Sequence, residues 1–242
     1  MALCAATASA LPLWAAYPDD PALTFTDPDW SALQETPGSQ QTYYIYHVAT
    51  GKFMNDGNWK NNWGAELVVN EEGLAVTLSY GQDYELANRD EEDVAYHTNM
   101  DFRMSMMEGQ SNSGLHELYL LNESGQICVD HNAQGHILWD IVKQEDTGYY
   151  RIRISPTDPV YGAGTEYESR WIGVDVGDEV YNNNIGVNGL IENETGTYLQ
   201  PEMDWQFVAE DVYAVYHAKK HVLKPQIEAA QEAGYTDTQS YI

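Results

Sequence analysis

Trp139-Asp140-Ile141-Val142 and Trp205-Gln206-Phe207-Val208 are the stretches that decide the fold. Each sets a bulky aromatic ahead of an alternating apolar pair. Each then runs into an acidic turn, Glu145-Asp146-Thr147-Gly148 after the first and Glu210-Asp211 after the second. Tyr84-Glu85-Leu86 stands in the matching place earlier in the chain. One large aromatic per unit is what three similar units need if each supplies a plug to a core that none could bury alone.

Between Thr42 and Asp211 the chain reads as strand after strand, with turns about every 8 to 12 residues. Residues 42–53 (TYYIYHVATGKF) make two strands around Ala49-Thr50-Gly51. Residues 117–129 (ELYLLNESGQICV) repeat the pattern around Asn122-Glu123-Ser124-Gly125-Gln126. The third version is looser: residues 149–154 (YYRIRI), an insertion over 155–169, then Arg170-Trp171-Ile172-Gly173-Val174.

These repeated aromatics and hairpins resemble the β-trefoil, in particular ricin B-type lectin domains, and more closely the trefoil modules of secreted, multidomain bacterial surface proteins. The resemblance covers residues 42–211. It implies an all-β fold of twelve short strands in pseudo-threefold array, followed by a short C-terminal helical segment. The ricin-type pattern has Gln two residues before the aromatic. Gln82 supplies it for Tyr84, whereas Ile137 and Met203 stand there for Trp139 and Trp205. A β-sandwich carbohydrate-binding domain is the alternative that the turn spacing also suits.

The resemblance further implies sugar pockets that combine an Asp, an aromatic and amide donors, a set suited to a pyranose ring with its vicinal hydroxyls. The first repeat offers Asp56, Trp59, Asn62 and Trp63. The second offers Asp130 and Asn132, beside a Cys128-Val129-Asp130 run similar to the family's Cys-Leu-Asp. The third offers Asp175, Tyr181 and the Asn182-Asn183-Asn184 turn, Asn184 above all. Trp59 and Trp63 lie among Asn, Lys, Asp and Gly, where an aromatic has little to bury against. Asp and Asn in turns also cap local backbone groups, which is the competing reading of the rest.

Charge bounds the partners. Eleven Lys and Arg against 38 Asp and Glu give a formal net charge of −27 over 242 residues. Such a chain repels phosphate backbones and anionic bilayers, so neither nucleic acid nor membrane insertion is expected. Ca²⁺ is the cation that the acidic composition would admit, although no stretch fits the spaced Asp/Asn–Gly–Glu pattern of a Ca²⁺ loop. No other cofactor is expected. No nucleophile elbow or phosphate-cradling glycine loop occurs, so the chain is not expected to be an enzyme.

The ends differ from the middle. Residues 1–16 (MALCAATASALPLWAA) are small, apolar and uncharged, like the later part of a secretory signal peptide. With Cys4 in that segment, Cys128 is expected as a buried thiol. Residues 17–41, rich in Pro, Asp, Ser and Thr, read as a linker with at most a short turn near 29–33. Residues 212–242 read as two short helices, one from about Val212 to Leu223 and one with Pro225 in its first turn running to Ala233 and stopped by Gly234, leading to further domains of the same polypeptide. Three of the six lysines (Lys219, Lys220, Lys224) gather there with His217 and His221.

The expected function is a non-catalytic, lectin-like glycan-binding module of an exported bacterial protein, secreted or at the cell surface. A structural or protein-interaction trefoil without glycan binding is the alternative. A protease inhibitor that presents residues 155–169 as an exposed loop is a third reading.

Overall fold

The computed structural model describes residues 22–35, 39–59, 65–80, 102–107, 115–121, 126–130, 138–156, 158, 162–167, 170–174, 183–187 and 202–234. Among them the chain divides into two compact units. One is Phe25–Glu210, and the other takes in the two ends of the chain.

Phe25–Glu210 is a β-trefoil, and the pairing of its strands shows why. The elements in order are a short helix α1 (Trp30–Glu35), then β1 (Gln40–His47), β2 (Lys52–Trp59), β3 (Ala65–Asn70) and β4 (Val76–Tyr80). The second repeat carries β5 (Phe102–Met107), β6 (Leu115–Leu121), β7 (Gln126–Asp130) and β8 (Trp139–Lys143). The third carries β9 (Tyr150–Ile154), β10 (Ile172–Val174), β11 (Ile185–Val187) and β12 (Trp205–Ala209).

Antiparallel pairing runs β1 to β4, β4 to β5, β5 to β8, β8 to β9, β9 to β12, and β12 back to β1. Those six strands close a barrel, which leaves that sheet no open edge. The hairpins β2–β3, β6–β7 and β10–β11 lie off the ring. They join one another through β3–β7, β7–β11 and a bridge between Val68 and Asn184. The last bridge brings the first repeat against the third.

Alternation along the barrel strands sets the core. In β9, Tyr150, Ile152 and Ile154 are buried while Arg151 and Arg153 take the other face, the period-2 pattern of a half-buried strand. Trp139 and Trp205 have no exposed surface, nor do Ile45, Leu78, Ile152 and Phe207 around them. These two tryptophans are the plugs that the sequence pattern requires, and Trp205 also donates its indole N–H to the Ile172 carbonyl at 3.2 Å. Tyr84, read as the third plug, lies outside the described residues.

On the outer face, Arg153 sits opposite Asp140 in the β8–β9 register. Its guanidinium bonds the fully buried Asp140 carboxylate at 2.9 Å and lies over the Trp171 ring, 5.0 Å from its centre. Gly51 takes a positive φ of 69° in the turn between β1 and β2, a conformation that glycine adopts without the steric cost of a Cβ.

The linker reading of residues 17–41 is corrected for residues 25–35, which are part of the trefoil unit. Asp29 Oδ1 caps α1 by accepting from the Ala32 N–H at 3.0 Å. Leu33 is completely buried in the core, and the Trp30 ring meets Tyr150 and Phe207 at 5.8 and 6.1 Å. Thr26 N–H donates to the Phe207 carbonyl at 2.9 Å. Asp27 accepts from Lys143 at 2.6 Å and from the Tyr150 hydroxyl at 2.9 Å. The bond from Lys143, with help from Tyr150, holds the Asp27 carboxyl below its usual range against the opposing effect of burial. Burial and the bond to Asp27 push the Tyr150 phenol well above its ordinary value. A composition that reads as linker here serves as a strap, because two apolar residues and one helical turn suffice to anchor it.

The chain then runs through α2 (Glu210–His217), a π-helical stretch (Ala218–Leu223) and α3 (Lys224–Glu232). Pro225 falls in the first turn of α3, where a missing N–H costs little, and the wider π turn precedes it.

Candidate functional site

A cleft of about 440 Å³ opens beside the β2–β3 hairpin, within the size range of small-ligand sites. The first repeat contributes Lys52, Asp56, Gly57, Glu66 and Asn70, and the third contributes Asn183 and Asn184 from the turn leading into β11. Val68 and Val69 complete the lining.

Local backbone geometry explains the shape. The β2–β3 register shifts between Asp56 and Trp59, a bulge of the kind that re-aims side chains at the end of a ladder. Gly57 lies against β3. A Cβ there would come within 3.0 Å of the Val68 side chain and 3.1 Å of the Glu66 carbonyl, so any larger residue would crowd the cleft wall. On the opposite side, Asn183 is fixed twice. Its carbonyl accepts from the Val69 N–H at 2.8 Å, and its side-chain oxygen accepts from the Lys52 ammonium at 2.9 Å. Asn70 Oδ1 accepts from the Glu71 N–H at 2.7 Å, and the Asn55 side-chain amide donates to the Glu72 carbonyl. The rim is therefore tied down by its own polar groups.

The lining thus presents two carboxylates, one ammonium and three amides around a small apolar patch. Such a set accepts from and donates to hydroxyl groups at several angles. Among the described residues it contains no nucleophile–base pair. Among the described residues, no group of three or more His, Cys, Asp or Glu is placed to hold a metal ion.

Of the residues nominated from sequence, Asp56 and Asn184 are brought together in this one cleft. They come from different repeats, which the sequence reading treats as separate pockets. Trp59 closes β2, opposite Ala65, and Asp130 closes β7, opposite Glu117. Asn62, Trp63, Asn132, Asp175 and Tyr181 lie outside the described residues. Lys52, Glu66 and Asn70 were not nominated. Asn183 belongs to the Asn-rich run 182–184, a visible signal, whereas Glu66 and Asn70 become apparent only once their alternate positions on β3 are known to face the cleft.

Other polar groups are structural. His47 is completely buried. Its Nε2–H donates to the Glu202 carbonyl and its Nδ1 accepts from the Thr50 hydroxyl, both at 2.9 Å. Burial holds this imidazole below its ordinary value, against the Glu202 bond and the nearby Asp204 charge. Ser155 and Asp158 are buried as well, and Asp158 accepts from the Leu138 N–H at 2.8 Å. The start of the 155–169 insertion is therefore knitted to β8, unlike a projecting inhibitor loop. Cys128 is a buried thiol. The His217 and His221 rings lie side by side, their centres 4.9 Å apart. Lys220 donates to the Tyr216 hydroxyl at 2.9 Å.

No family model matches the chain, and no curated protein matches it. Solved structures do. A salivary protein of Culex quiquefasciatus from the Cysteine and Tryptophan-Rich family is 11% identical, with a TM-score of 0.42 over 71% of this chain and 94% of the other. Winged bean albumin 1 is 12% identical, with a TM-score of 0.44 over 70% and 91%. The designed threefold-symmetric protein ThreeFoil is 12% identical, with a TM-score of 0.39 over 69% and 97%. Likeness at this level carries nothing about function, and the trefoil rests on the closed ring of strand pairs.

Proposed function

We propose that this chain is a non-catalytic carbohydrate-binding module whose ligand occupies the cleft between the first and third repeats. One observation carries the reading: Asp56 and Asn184, nominated separately as sugar ligands, line a single cleft with further carboxylate, ammonium and amide groups. Carboxylate oxygens accept from vicinal hydroxyls, amides fix orientation, and Val68 offers a small apolar surface to a ring face. A shallow site of this kind binds in the micromolar to millimolar range, about −4 to −8 kcal/mol. The apolar, uncharged residues 1–16 support an exported setting, and the net charge of −27 suits a soluble extracellular surface. A glycan-array screen of the full chain, with and without Ca²⁺, tests the proposal. Selective binding supports it, and silence from folded protein removes it.

A second reading, a protein-interaction trefoil, is favoured by one feature: the described lining of the cleft contains no aromatic face for stacking. Capture of a protein partner by a chain silent on glycans would select that reading.

A further inference from the structure

Two amides of the cleft have their orientation decided by partners that can only donate. The Lys52 ammonium bonds the Asn183 side-chain oxygen at 2.9 Å, and the Glu71 N–H bonds Asn70 Oδ1 at 2.7 Å. Neither partner can accept. In each amide the oxygen is therefore turned to its partner, and the Nδ2 end, with its N–H donors, is turned away from it. Among the described residues no acceptor is bonded to either Nδ2. The two amides also sit together. Asn70 follows Val69, whose N–H bonds the Asn183 carbonyl at 2.8 Å, and it stands opposite Phe53, the neighbour of Lys52. Asn70, Asn183 and the half-buried Val68 all line the cleft.

The ligand group that answers this end of the cleft is a neutral carbonyl with a methyl beside it. A carbonyl oxygen carries two lone pairs and no proton, so it takes one or both donors without competing for their role. A hydroxyl divides itself between donating and accepting. A carboxylate also accepts, but it must enter the field of a chain whose formal charge is −27, which repels anions.

Granted the saccharide site proposed above, we infer that the cleft selects sugars bearing an acetamido group. The acetamido carbonyl accepts from the Nδ2 donors of Asn183 and Asn70, and its methyl rests on Val68. Lys52 is a positioning residue: it acts through Asn183, whose donor end it keeps turned away from itself.

The test is calorimetric titration of the full chain with three β-linked trisaccharides, built of glucose, of N-acetylglucosamine and of glucuronate. The acetamido oligomer should bind about five- to tenfold more tightly than the glucose oligomer, the worth of one net hydrogen bond, and the glucuronate oligomer most weakly. Asn183→Asp keeps an oxygen for Lys52 and puts an acceptor where the donors stood, so the gap should close. Glucose and acetamido oligomers are both neutral, and the added charge does not bear on their difference. Lys52→Met, which frees the Asn183 amide to turn, should narrow the gap. Should Asn183→Asp fail to fold, Asn70→Asp makes the same exchange at an exposed position and should narrow the gap as well. Equal binding of the glucose and acetamido oligomers by the unaltered chain overturns the preference while leaving a saccharide site. A gap unchanged in Asn183→Asp and in Asn70→Asp overturns its assignment to these amides. Tightest binding by the glucuronate oligomer overturns the neutral acceptor. No binding of any trisaccharide overturns the saccharide site itself.

Discussion

The Lys52 ammonium donates to the Asn183 side-chain oxygen at 2.9 Å, and so joins the first repeat to the third across the mouth of the cleft. Beside it, the Val69 N–H bonds the Asn183 carbonyl. The side-chain bond is part-buried and carries a charge on one partner. Asn183→Ala should therefore cost about 1 kcal/mol of stability, read as a lower urea midpoint with an unchanged slope. It should also weaken any ligand held by both repeats. Lys52→Met should reproduce the stability loss, because it removes the other half of the same bond.

The strap over 25–35 is part of the fold. Leu33 is buried completely in the core, so Leu33→Ala should cost about 2–5 kcal/mol, the range for deleting a buried leucine side chain. A chain that starts at Thr42 should melt below one that starts at Phe25 by a comparable margin. Thermal unfolding of the three proteins side by side checks this.

His47 gives the unit a defined response to acid. Its folded-state value lies below the ordinary 6.5, so the unfolded chain takes up the proton first as pH falls. Stability from the neutral ring is complete above about 6.5, declines below it, and levels off once pH has passed the depressed folded value. His47→Gln should flatten that decline while retaining a donor for the Glu202 carbonyl. Urea midpoints between pH 7.5 and 4.5, compared for the two proteins, give the slope.

Arg153 neutralises a carboxylate with no exposed surface. Its bonds to Asp140 at 2.9 and 3.0 Å offset the desolvation of that group. Arg153→Met should cost about 3–5 kcal/mol, the usual penalty for leaving a buried charge without its partner. Asp140→Asn with Arg153→Met should recover part of the loss, since no charge is then stranded. A double-mutant cycle in urea measures both.

Sequence patterns that repeat were legible, and those that depend on chain geometry were not. Trp139 and Trp205 announced themselves by their alternating neighbours, and both occupy the core as the pattern requires. Gly51 and Gly148 marked turns and take positive φ values there. The strap escaped because α1 has six residues, too few for a helical period, and its Pro and Asp neighbours have linker composition. Pro225 was legible as the first turn of the last helix, where its missing N–H costs little, whereas the π-helical stretch Ala218–Leu223 before it has no sequence signature. The site was half legible. Asp56 and Asn184 were both singled out, yet nothing local says that two turns from different repeats meet. That follows only from closure of the three hairpins, through the Val68–Asn184 bridge.

The most direct test follows the backbone amides of the full chain by NMR while the tightest glycan from the array is titrated in. A ligand shared by the two repeats should shift Asp56, Gly57 and Glu66 together with Asn183 and Asn184 along one binding curve, and Asp56→Ala should abolish the shifts on both sides. Shifts confined to another repeat, or to one side of the cleft alone, would contradict a site built jointly by the first and third repeats.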